Sequence, residues 1–373
     1  MQINNPVNLK FGSGIREKIL EGCIDKKTLI FCSSTALRRL YKDPYLKNLF
    51  DYEGTFFEHD FNSNPSLEEI ERISEKYRKS SFDLIIGLGG GSAMDVAKIG
   101  SASISAIQEN ITISELLEDS NLFSHFSCID SIQVPTTAGT GSEVTPFATI
   151  WDYKNNEKKS LGSDSMFAKQ AFVDPDLLKG MPKELALFTG LDAMNQAFES
   201  IWNLNANEET RRFSIKSALL CLENLPLIDN MSSNIEVREK MSEASLFAGY
   251  AISQTRTSIC HSISYPLTLK YGMPHGLACA FSMLEVYKYN EKYLKNDITE
   301  IKQTLNENPF DVLQDIFLQY DLKRHFREYL PDRKNFINSL EDFITSGRFE
   351  NNIQKCSQED LVKILTFSYE SCF

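Results

Sequence analysis

Two hydrophobic patterns divide the chain. In the first half, short apolar runs typical of β-strands alternate with longer amphipathic runs typical of helices. Strands are predicted at residues 27–32, 54–57, 82–88 and 131–135, and helices at 36–41, 66–79 and 93–106. Ser66 and Glu69 have the spacing of a capping box at the start of the second helix. Because residues 82–88 are apolar almost throughout, as buried parallel strands are, we predict a doubly wound α/β domain.

The second half has a different pattern, in which few β-branched runs remain and long amphipathic runs dominate. These runs predict helices at 184–203, 208–223, 234–251 and 361–371. Segment 304–350 consists of short charged runs and indicates little about its structure. We therefore predict an α/β domain over residues 1–181 and an all-helical domain over residues 182–373.

The composition excludes several classes of protein. The 373 residues carry a net charge of −12, which argues against nucleic acid or an anionic membrane as a partner. No apolar run reaches the roughly 20 residues of a membrane span, and the N-terminal residues lack a signal-peptide pattern. The eight cysteines are scattered without a CxxC pair, which favours reduced thiols and predicts a cytoplasmic enzyme.

Two polar loops follow predicted strands. Glycines 89–91 and Ser92 lie between a strand and a helix, where backbone amides and the positive helix end favour a diphosphate. The spacing is not GxGxxG, and a tight turn without a ligand is the alternative interpretation. The second loop, PTTAGTGSE at 135–143, is rich in hydroxyls, with a plain surface loop as its alternative. Two such loops at successive strand ends favour a nucleotide crevice.

A candidate metal site is spread over two segments. Asp192 and Gln196 are four residues apart and project from one face of a predicted helix, while His261 and His275 flank a helix-breaking Gly-Met-Pro. Their mixed oxygen and nitrogen donors suit Fe²⁺, Zn²⁺ or Mn²⁺. Hydrogen-bonded core histidines and a polar helix face are the alternatives. We interpret the neighbouring Cys260 and Cys279 as small buried apolar residues rather than ligands.

Five motifs resemble the iron-containing (group III) alcohol dehydrogenases, which are related in fold to glycerol dehydrogenase and dehydroquinate synthase. These motifs, in the family's order, are GGGSAMDVAK (89–98), PTTAGTGSEVTPFATIWD (135–152), FVDPDL (172–177), FTGLDAMNQAFES (188–200) and HSISYPLTLKYGMPHGLACA (261–280). The resemblance covers nearly the whole chain. It implies a dinucleotide-binding N-terminal domain, an all-helical C-terminal domain, a cleft for NAD(P) and a divalent metal, and a homodimer.

The resemblance also implies roles for particular residues. The implied metal ligands are Asp192, Gln196, His261 and His275, although the family usually has histidine at the position of Gln196. The implied cofactor contacts are Asn64, Gly90, Gly91, Ser92, Asp95, Thr136, Thr137 and Lys159.

Two departures from the family point to one of its branches. Many members have a second histidine four residues after the first, and this chain has Tyr265 there. Together with Gln196 and segment 201–210, this change resembles the phosphonate-associated branch, which implies reduction of phosphonoacetaldehyde to 2-hydroxyethylphosphonate. A phosphonate needs a cation, for which Arg256 is the first candidate and Lys270 the second. Tyr265, a ribose hydroxyl or water could protonate the product.

The residues after the first predicted strand bear on the choice of cofactor. Ser33 stands where an acidic residue would hydrogen-bond the ribose 2′-hydroxyl of NAD, and Arg38 and Arg39 follow closely. We therefore expect NADPH to be accepted as well as, or in preference to, NADH. Two other functions stay open at this point. One is a lyase or cyclase of the dehydroquinate-synthase kind, and the other is a metal-free protein used for binding or assembly.

Overall fold

The computed structural model describes residues 5–155, 157–343 and 348–373, which form two compact units. One unit comprises the chain up to Thr137 together with Ser142–Lys179, and the other comprises Ala138–Gly141 and Gly180–Phe373. The first unit is α/β and the second is built from helices, which confirms the predicted fold class. Among the described residues, no helix is both long enough and apolar enough to cross a membrane.

The α/β unit contains two sheets and flanking helices. Its strands are β1 (Asn8–Phe11), β2 (Thr28–Phe31), β3 (Thr55–Glu58), β4 (Leu84–Gly89), β5 (Ser131–Pro135), β6 (Phe147–Asp152), β7 (Glu157–Gly162) and β8 (Gln170–Val173). Its helices are α1 (Ser34–Leu40), α2 (Pro44–Phe50), α3 (Leu67–Tyr77), α4 (Gly91–Gln108) and α5 (Ile113–Glu118). The predicted capping box is confirmed, because Ser66 and Glu69 each accept a hydrogen bond from the other's backbone amide.

The main sheet is parallel, with strand order β1-β8-β5-β4-β2-β3, and its two faces are covered by different helices. Alternate strand residues point to opposite faces. Leu29 and Ile85 pack with residues of α3 and α4 in one core, while Ile30 and Ile86 pack with residues of α1 and α2 in the other. The chain runs from β2 to the edge strand β3 and then to β4 on the other side of β2. Ligands of open α/β sheets bind where the order reverses in this way.

A buried lysine fixes the chain beyond β5. Lys98 on α4 is 1% exposed, and its ammonium group donates hydrogen bonds to the carbonyl oxygens of Ser142 and Thr145 and to the Thr145 hydroxyl. It also lies 3.3 Å from Asp95 Oδ1, which balances its charge. This network holds the entrance to the antiparallel hairpin of β6 and β7, which the sequence pattern did not predict.

Glu143 gives this unit a pH-dependent stability. The side chain is 2% exposed, and burial raises its pKa from 4.5 to about 7 despite a backbone hydrogen bond and the charge of Lys98. Stability from this group is therefore full below about pH 4.5 and is lost as pH rises through 7. We expect Glu143→Gln to gain up to about 3 kcal/mol relative to the wild type between these pH values. Denaturant unfolding of both chains at several pH values measures this, and a difference that does not vary with pH would contradict it.

The second unit is a set of packed helices preceded by a short loop. The helices are α6 (Lys183–Ile201), α7 (Glu208–Asn224), α8 (Ile235–Thr255), α9 (Ile259–Tyr271), α10 (His275–Ala280), α11 (Met283–Asn290), α12 (Lys295–Leu305), α13 (Pro309–Gln319), α14 (Leu322–Arg327), α15 (Arg333–Asn338) and α16 (Gln358–Cys372). The loop Ala138–Gly141 packs on α6 and α8, where a Cβ on Gly139 would lie 2.5 Å from the Thr189 carbonyl oxygen. Close backbone approach thus explains the glycines of the AGTG sequence.

Candidate active site

The α/β unit brings most of the predicted cofactor residues to the carboxyl ends of three neighbouring strands. Ser33 follows β2, Gly90–Ser92 follow β4, and Thr136 and Thr137 follow β5. Helix α4 begins at Gly91, and its N-cap residue Gly90 offers no side-chain acceptor to the first-turn amides. The 18-residue helix therefore presents free amides and a positive end at this edge of the sheet, which suits a diphosphate.

The remaining predicted cofactor residues lie on either side of this turn. Ser92 donates a hydrogen bond to the Ser63 carbonyl, which places Asn64 beside the glycine turn. Lys159 lies on β7 and forms an ion pair with Asp152 at 2.9 Å. Asp95 accepts hydrogen bonds from the Ser142 hydroxyl at 2.5 Å and the Thr149 amide at 2.8 Å. The contacts of Asp95 thus hold the protein's own loop and hairpin.

The structure separates the two arginines that follow β2. Arg39 donates hydrogen bonds to the carbonyl oxygens of Leu177 and Lys179 at 3.1 and 3.2 Å, so its guanidinium group is tied to the backbone. Arg38 is exposed, and Ser33 caps α1 by accepting a hydrogen bond from the Ala36 amide. Arg38 is therefore the better placed of the two to meet a 2′-phosphate.

The helical unit gathers the predicted metal ligands. His261 Nε2 on α9 lies 3.3 Å from Asp192 Oδ1 on α6, and the His261 and His275 ring centroids are 5.3 Å apart. Gln196 lies one turn after Asp192 on the same helix. Four residues each contribute one donor atom to a group whose atoms all lie within 4.8 Å of one another: Asp192, His261, His275 and Cys279. The sequence interpretation of Cys279 as a packing residue missed this contact, although its spacing of four residues from His275 on one helix could have indicated it.

Glu199 orients the first histidine. Its carboxylate is fully buried and accepts hydrogen bonds from His261 Nδ1, from the His261 amide at 3.2 Å and from the Ser258 hydroxyl at 3.2 Å. Because Glu199 binds Nδ1, the other ring nitrogen, Nε2, faces Asp192 and is the atom that would ligate an ion, as in metal-bound histidines. The sequence analysis did not single out Glu199, whose only signal is its position seven residues after Asp192 on the same helix face.

The electrostatics of the cluster favour a positive charge between the donors. Burial raises the pKa of Asp192, but the facing histidines outweigh it and hold that pKa below its ordinary value. Burial lowers the pKa of His261, yet the neighbouring Cys279, Glu199 and Asp192 raise it well above the ordinary value. The Asp192 carboxylate in the cluster and the Glu199 carboxylate behind His261 therefore favour a positive charge at this position.

Unpartnered oxygen atoms test whether a metal ion fits. Asp192 Oδ1 and Gln196 Oε1 are buried and have no hydrogen-bond partner among the described residues, and both side chains are 3% exposed. An orphaned buried oxygen costs about 1–3 kcal/mol, more for a charged group, so a cation here would satisfy both atoms. Carboxylate, amide, imidazole and thiol are all donors to divalent transition metals. The residues fit such an ion.

A cationic pair lies beside Tyr265, which follows His261 by one helical turn on α9. Arg348 donates a hydrogen bond to the Thr257 hydroxyl at 2.7 Å, and its guanidinium carbon is 5.8 Å from the centroid of the Tyr265 ring. Burial and the positive charge of Arg348 lower the pKa of the neighbouring Arg256 to about 10. Arg256 has a φ of 63° and a ψ of −177°, a strained backbone conformation for a non-glycine residue. Lys270 instead pairs with Asp342 at 2.6 Å, and both side chains are about half exposed.

Comparisons with known proteins identify the family. A family model described as iron-containing alcohol dehydrogenase matches residues 6–175, and a model of the family's C-terminal domain matches residues 186–369. The chain belongs to the iron-containing alcohol dehydrogenase family. Its fold agrees, since a crystal structure of an iron-containing alcohol dehydrogenase superposes with a TM-score of 0.85 and 26% identity over 99% of both chains.

Two curated relatives of this iron-containing alcohol dehydrogenase have informative names. Phosphonoacetaldehyde reductase of Streptomyces viridochromogenes is 31% identical over 68% of this chain, and the match spans 64% of that protein, just under two thirds. Sulfoacetaldehyde reductase of Bilophila wadsworthia is 28% identical over 82% of each chain. The family membership makes the chain an oxidoreductase, and these similarities support the branch to which the sequence motifs pointed.

Gly276 allows α10 to approach α6 closely at the candidate metal site. A Cβ added there would lie 1.8 Å from the Phe188 carbonyl oxygen on α6 and 3.2 Å from the Asp192 Cβ. Gly276→Ala must therefore push α10, with His275, away from α6. We expect a loss of at least about 3 kcal/mol in the free energy of unfolding and a loss of bound metal, measured by denaturant titration and metal analysis.

Gly272→Asn is the matched control for this substitution. Gly272 lies between the same two histidines, has a φ of 69°, and has no atom within 4 Å of an added Cβ. Asparagine tolerates this left-handed conformation better than other side chains, so we expect a change of less than about 1 kcal/mol. Equal effects of the two substitutions would contradict the steric account.

Proposed function

We propose that this protein is a metal-dependent NAD(P)H aldehyde reductase whose substrate is a short aldehyde with an anionic head group. The first candidate is phosphonoacetaldehyde, which would be reduced to 2-hydroxyethylphosphonate. The observation that carries the proposal is the Arg256–Arg348 pair beside Tyr265, one turn of α9 from His261. The names of the two relatives, which act on a phosphonate and a sulfonate aldehyde, support it.

The cationic pair suits a dianion. Burial and, after it, repulsion by the nearby Arg348 guanidinium group lower the pKa of Arg256. A phosphonate between them relieves that repulsion and accepts charge-assisted hydrogen bonds from both. An uncharged aldehyde leaves the repulsion in place, so the pair favours anionic substrates.

The spacing suits a two-carbon aldehyde. His261 and Tyr265 are four residues apart on α9, which corresponds to a rise of about 6 Å along the helix. A carbonyl oxygen near the metal ligands and a phosphorus near the arginines are separated by only two carbon atoms in phosphonoacetaldehyde. We therefore propose a short aldehyde, rather than a long-chain one, as the substrate class.

The chain's own residues position the reacting groups. Asp192, His261 and His275, with Gln196 on the same helix face as Asp192, would hold a divalent metal. When bound, that ion polarises the aldehyde carbonyl and the nicotinamide supplies a hydride to its carbon. Glu199 fixes the His261 ring, and we assign to Tyr265, which is 7% exposed, the hydroxyl that delivers the proton completing the alcohol.

An assay of the full chain tests this function. Chelator-treated protein is reloaded with Fe²⁺, Zn²⁺ or Mn²⁺, and NADPH and NADH oxidation is followed with phosphonoacetaldehyde and with uncharged aldehydes. We expect metal-dependent oxidation with at least one ion. If no aldehyde is turned over, the result would favour the lyase or cyclase interpretation. If the protein takes up none of the ions, the result would favour a binding role.

The residues that follow β2 bear on the preference for NADPH or NADH. Ser33 leaves room for a 2′-phosphate and Arg38 is exposed nearby, so we expect NADPH to be accepted. Ser33→Asp adds a negative charge that repels the 2′-phosphate, and we expect it to lower the ratio of kcat/KM for NADPH over NADH about 100-fold. Ser33→Asn, without the charge, is the control. A wild-type enzyme that strongly prefers NADH would contradict this expectation.

A further inference from the structure

The donor cluster contains a sulfur atom that the proposed function does not use. Cys279 is fully buried on α10, and its Sγ lies 3.8 Å from His275 Nε2 and 4.0 Å from His275 Nδ1. It also lies within 4.8 Å of one donor atom each of Asp192 and His261. Cys260 is equally buried and directly precedes His261, yet it is not part of this group.

The sulfur sits close to the position that a shared ion would require. Zn–S and Zn–N bonds of about 2.3 and 2.0 Å in a tetrahedral site give an S···N separation of ~3.5 Å. The observed 3.8 Å differs from this by only a few tenths of an ångström. Gly276 seats α10 directly on the backbone of α6, so the spacing between Cys279 and Asp192 is fixed by close helix packing.

The orphaned oxygens give an independent indication that a ligand belongs here. Asp192 Oδ1 and Gln196 Oε1 are buried without hydrogen-bond partners among the described residues. Gln196 is a neutral amide and a weak donor to transition metals, whereas a thiolate is anionic and soft. Cys279 can therefore supply the charge and the strong bond that the amide lacks.

We propose that Cys279 is a metal ligand whose thiolate joins Asp192, His261 and His275 in a mixed sulfur, oxygen and nitrogen site. Binding releases the thiol proton to solvent as the sulfur–metal bond forms. The soft sulfur favours Zn²⁺ or Co²⁺ over Mn²⁺. Catalytic zinc sites sometimes expand to five ligands in the transition state, and such an expansion would make four protein donors compatible with catalysis. The inference rests on the metal dependence of the proposed function but not on its substrate.

Cobalt spectroscopy of the full chain tests the assignment without measuring activity. The chelator-treated protein is reloaded with Co²⁺, and its absorption spectrum and cobalt affinity are recorded for the wild type, Cys279→Ala, Cys279→Ser and the control Cys260→Ala. We expect a thiolate-to-cobalt charge-transfer band in the wild type and in Cys260→Ala. Both Cys279 variants should lose the band and bind cobalt at least ~10-fold more weakly. Removing a residue that only hydrogen-bonds a metal ligand already weakens metal binding about 10-fold or more, so removing a ligand should cost at least as much.

Two results would overturn the assignment. The first is a wild-type protein that holds one cobalt per chain without a thiolate band, and the second is a band that persists in either Cys279 variant. The wild-type spectrum decides the question even if a variant fails to fold. A cobalt protein that reduces aldehydes but lacks the band refutes the role of Cys279 and leaves the proposed function intact. A chain that binds no cobalt refutes both.

Discussion

Asp192→Asn should lower kcat/KM for aldehyde reduction by at least about 10³-fold and leave the purified protein nearly free of bound metal. The reason is that Asp192 supplies the only carboxylate oxygen in the donor cluster formed by the described residues. A metal ion that polarises a carbonyl contributes several kcal/mol to the transition state, and about 4 kcal/mol corresponds to that factor. Kinetics and metal analysis on the same preparations give both quantities.

The thermal stability of the metal-free protein separates this effect from unfolding. Asparagine has nearly the shape of aspartate, so the variant should keep its fold. The facing histidines hold the pKa of Asp192 below its ordinary value, so the carboxylate stabilises the metal-free wild type at neutral pH, and we expect the metal-free variant to be less stable but still folded. An Asp192→Asn protein that keeps its metal and its activity would refute the metal site, whatever its stability.

Arg256→Gly should lower kcat/KM for phosphonoacetaldehyde about 10²–10³-fold and change kcat/KM for an uncharged aldehyde of the same length far less. The substitution removes one guanidinium group of the pair beside Tyr265. Each hydrogen bond to a charged group contributes about 1.5–3 kcal/mol, so a two-point contact accounts for the loss.

Glycine is chosen because the backbone of Arg256 is strained. A φ of 63° with a ψ of −177° costs a non-glycine residue about 1–3 kcal/mol, while glycine loses only about 0.5–1 kcal/mol in added chain entropy. The variant should therefore melt at the same temperature as the wild type or above it. Lys270→Ala, which breaks an exposed ion pair between α9 and Asp342, should change kcat/KM less than about fivefold. Equal losses with charged and uncharged aldehydes would refute the anion site.

Much of the fold follows from short-range patterns in the sequence. The run 82–88 predicts a buried strand, and β4 (Leu84–Gly89) is buried at all six positions. The predicted strand 131–135 coincides with β5. Helix α4 begins at Gly91, two residues before the predicted Ala93. Glycine disfavours helix interiors, which is why the prediction left it out, but Gly90 is the N-cap and Gly91 the first residue of the helix. The hairpin strand β7 escaped prediction because half of its residues are charged and only Leu161 is buried, so it has no apolar run.

The residues of the candidate site also differ in whether short-range sequence spacing could predict them. Asp192 and Gln196 could be paired from their spacing on one helix, and the same rule applies to His275 and Cys279. Arg348 carries no such signal, since it comes from the segment 304–350 and meets Tyr265 only through tertiary packing. The roles of the individual ligands and the cofactor contacts are predictions that the experiments above address, and the homodimer stays a prediction.

The most direct test of the central claim is the ratio of kcat/KM for phosphonoacetaldehyde to that for butanal, measured with the wild-type enzyme, NADPH and its preferred metal. The Arg256–Arg348 pair predicts a ratio of at least about 10², which corresponds to about 3 kcal/mol of preference for the anion. A ratio near one, or a preference for the uncharged aldehyde, would contradict the account. The chain would then be a general short-chain alcohol dehydrogenase of the same family.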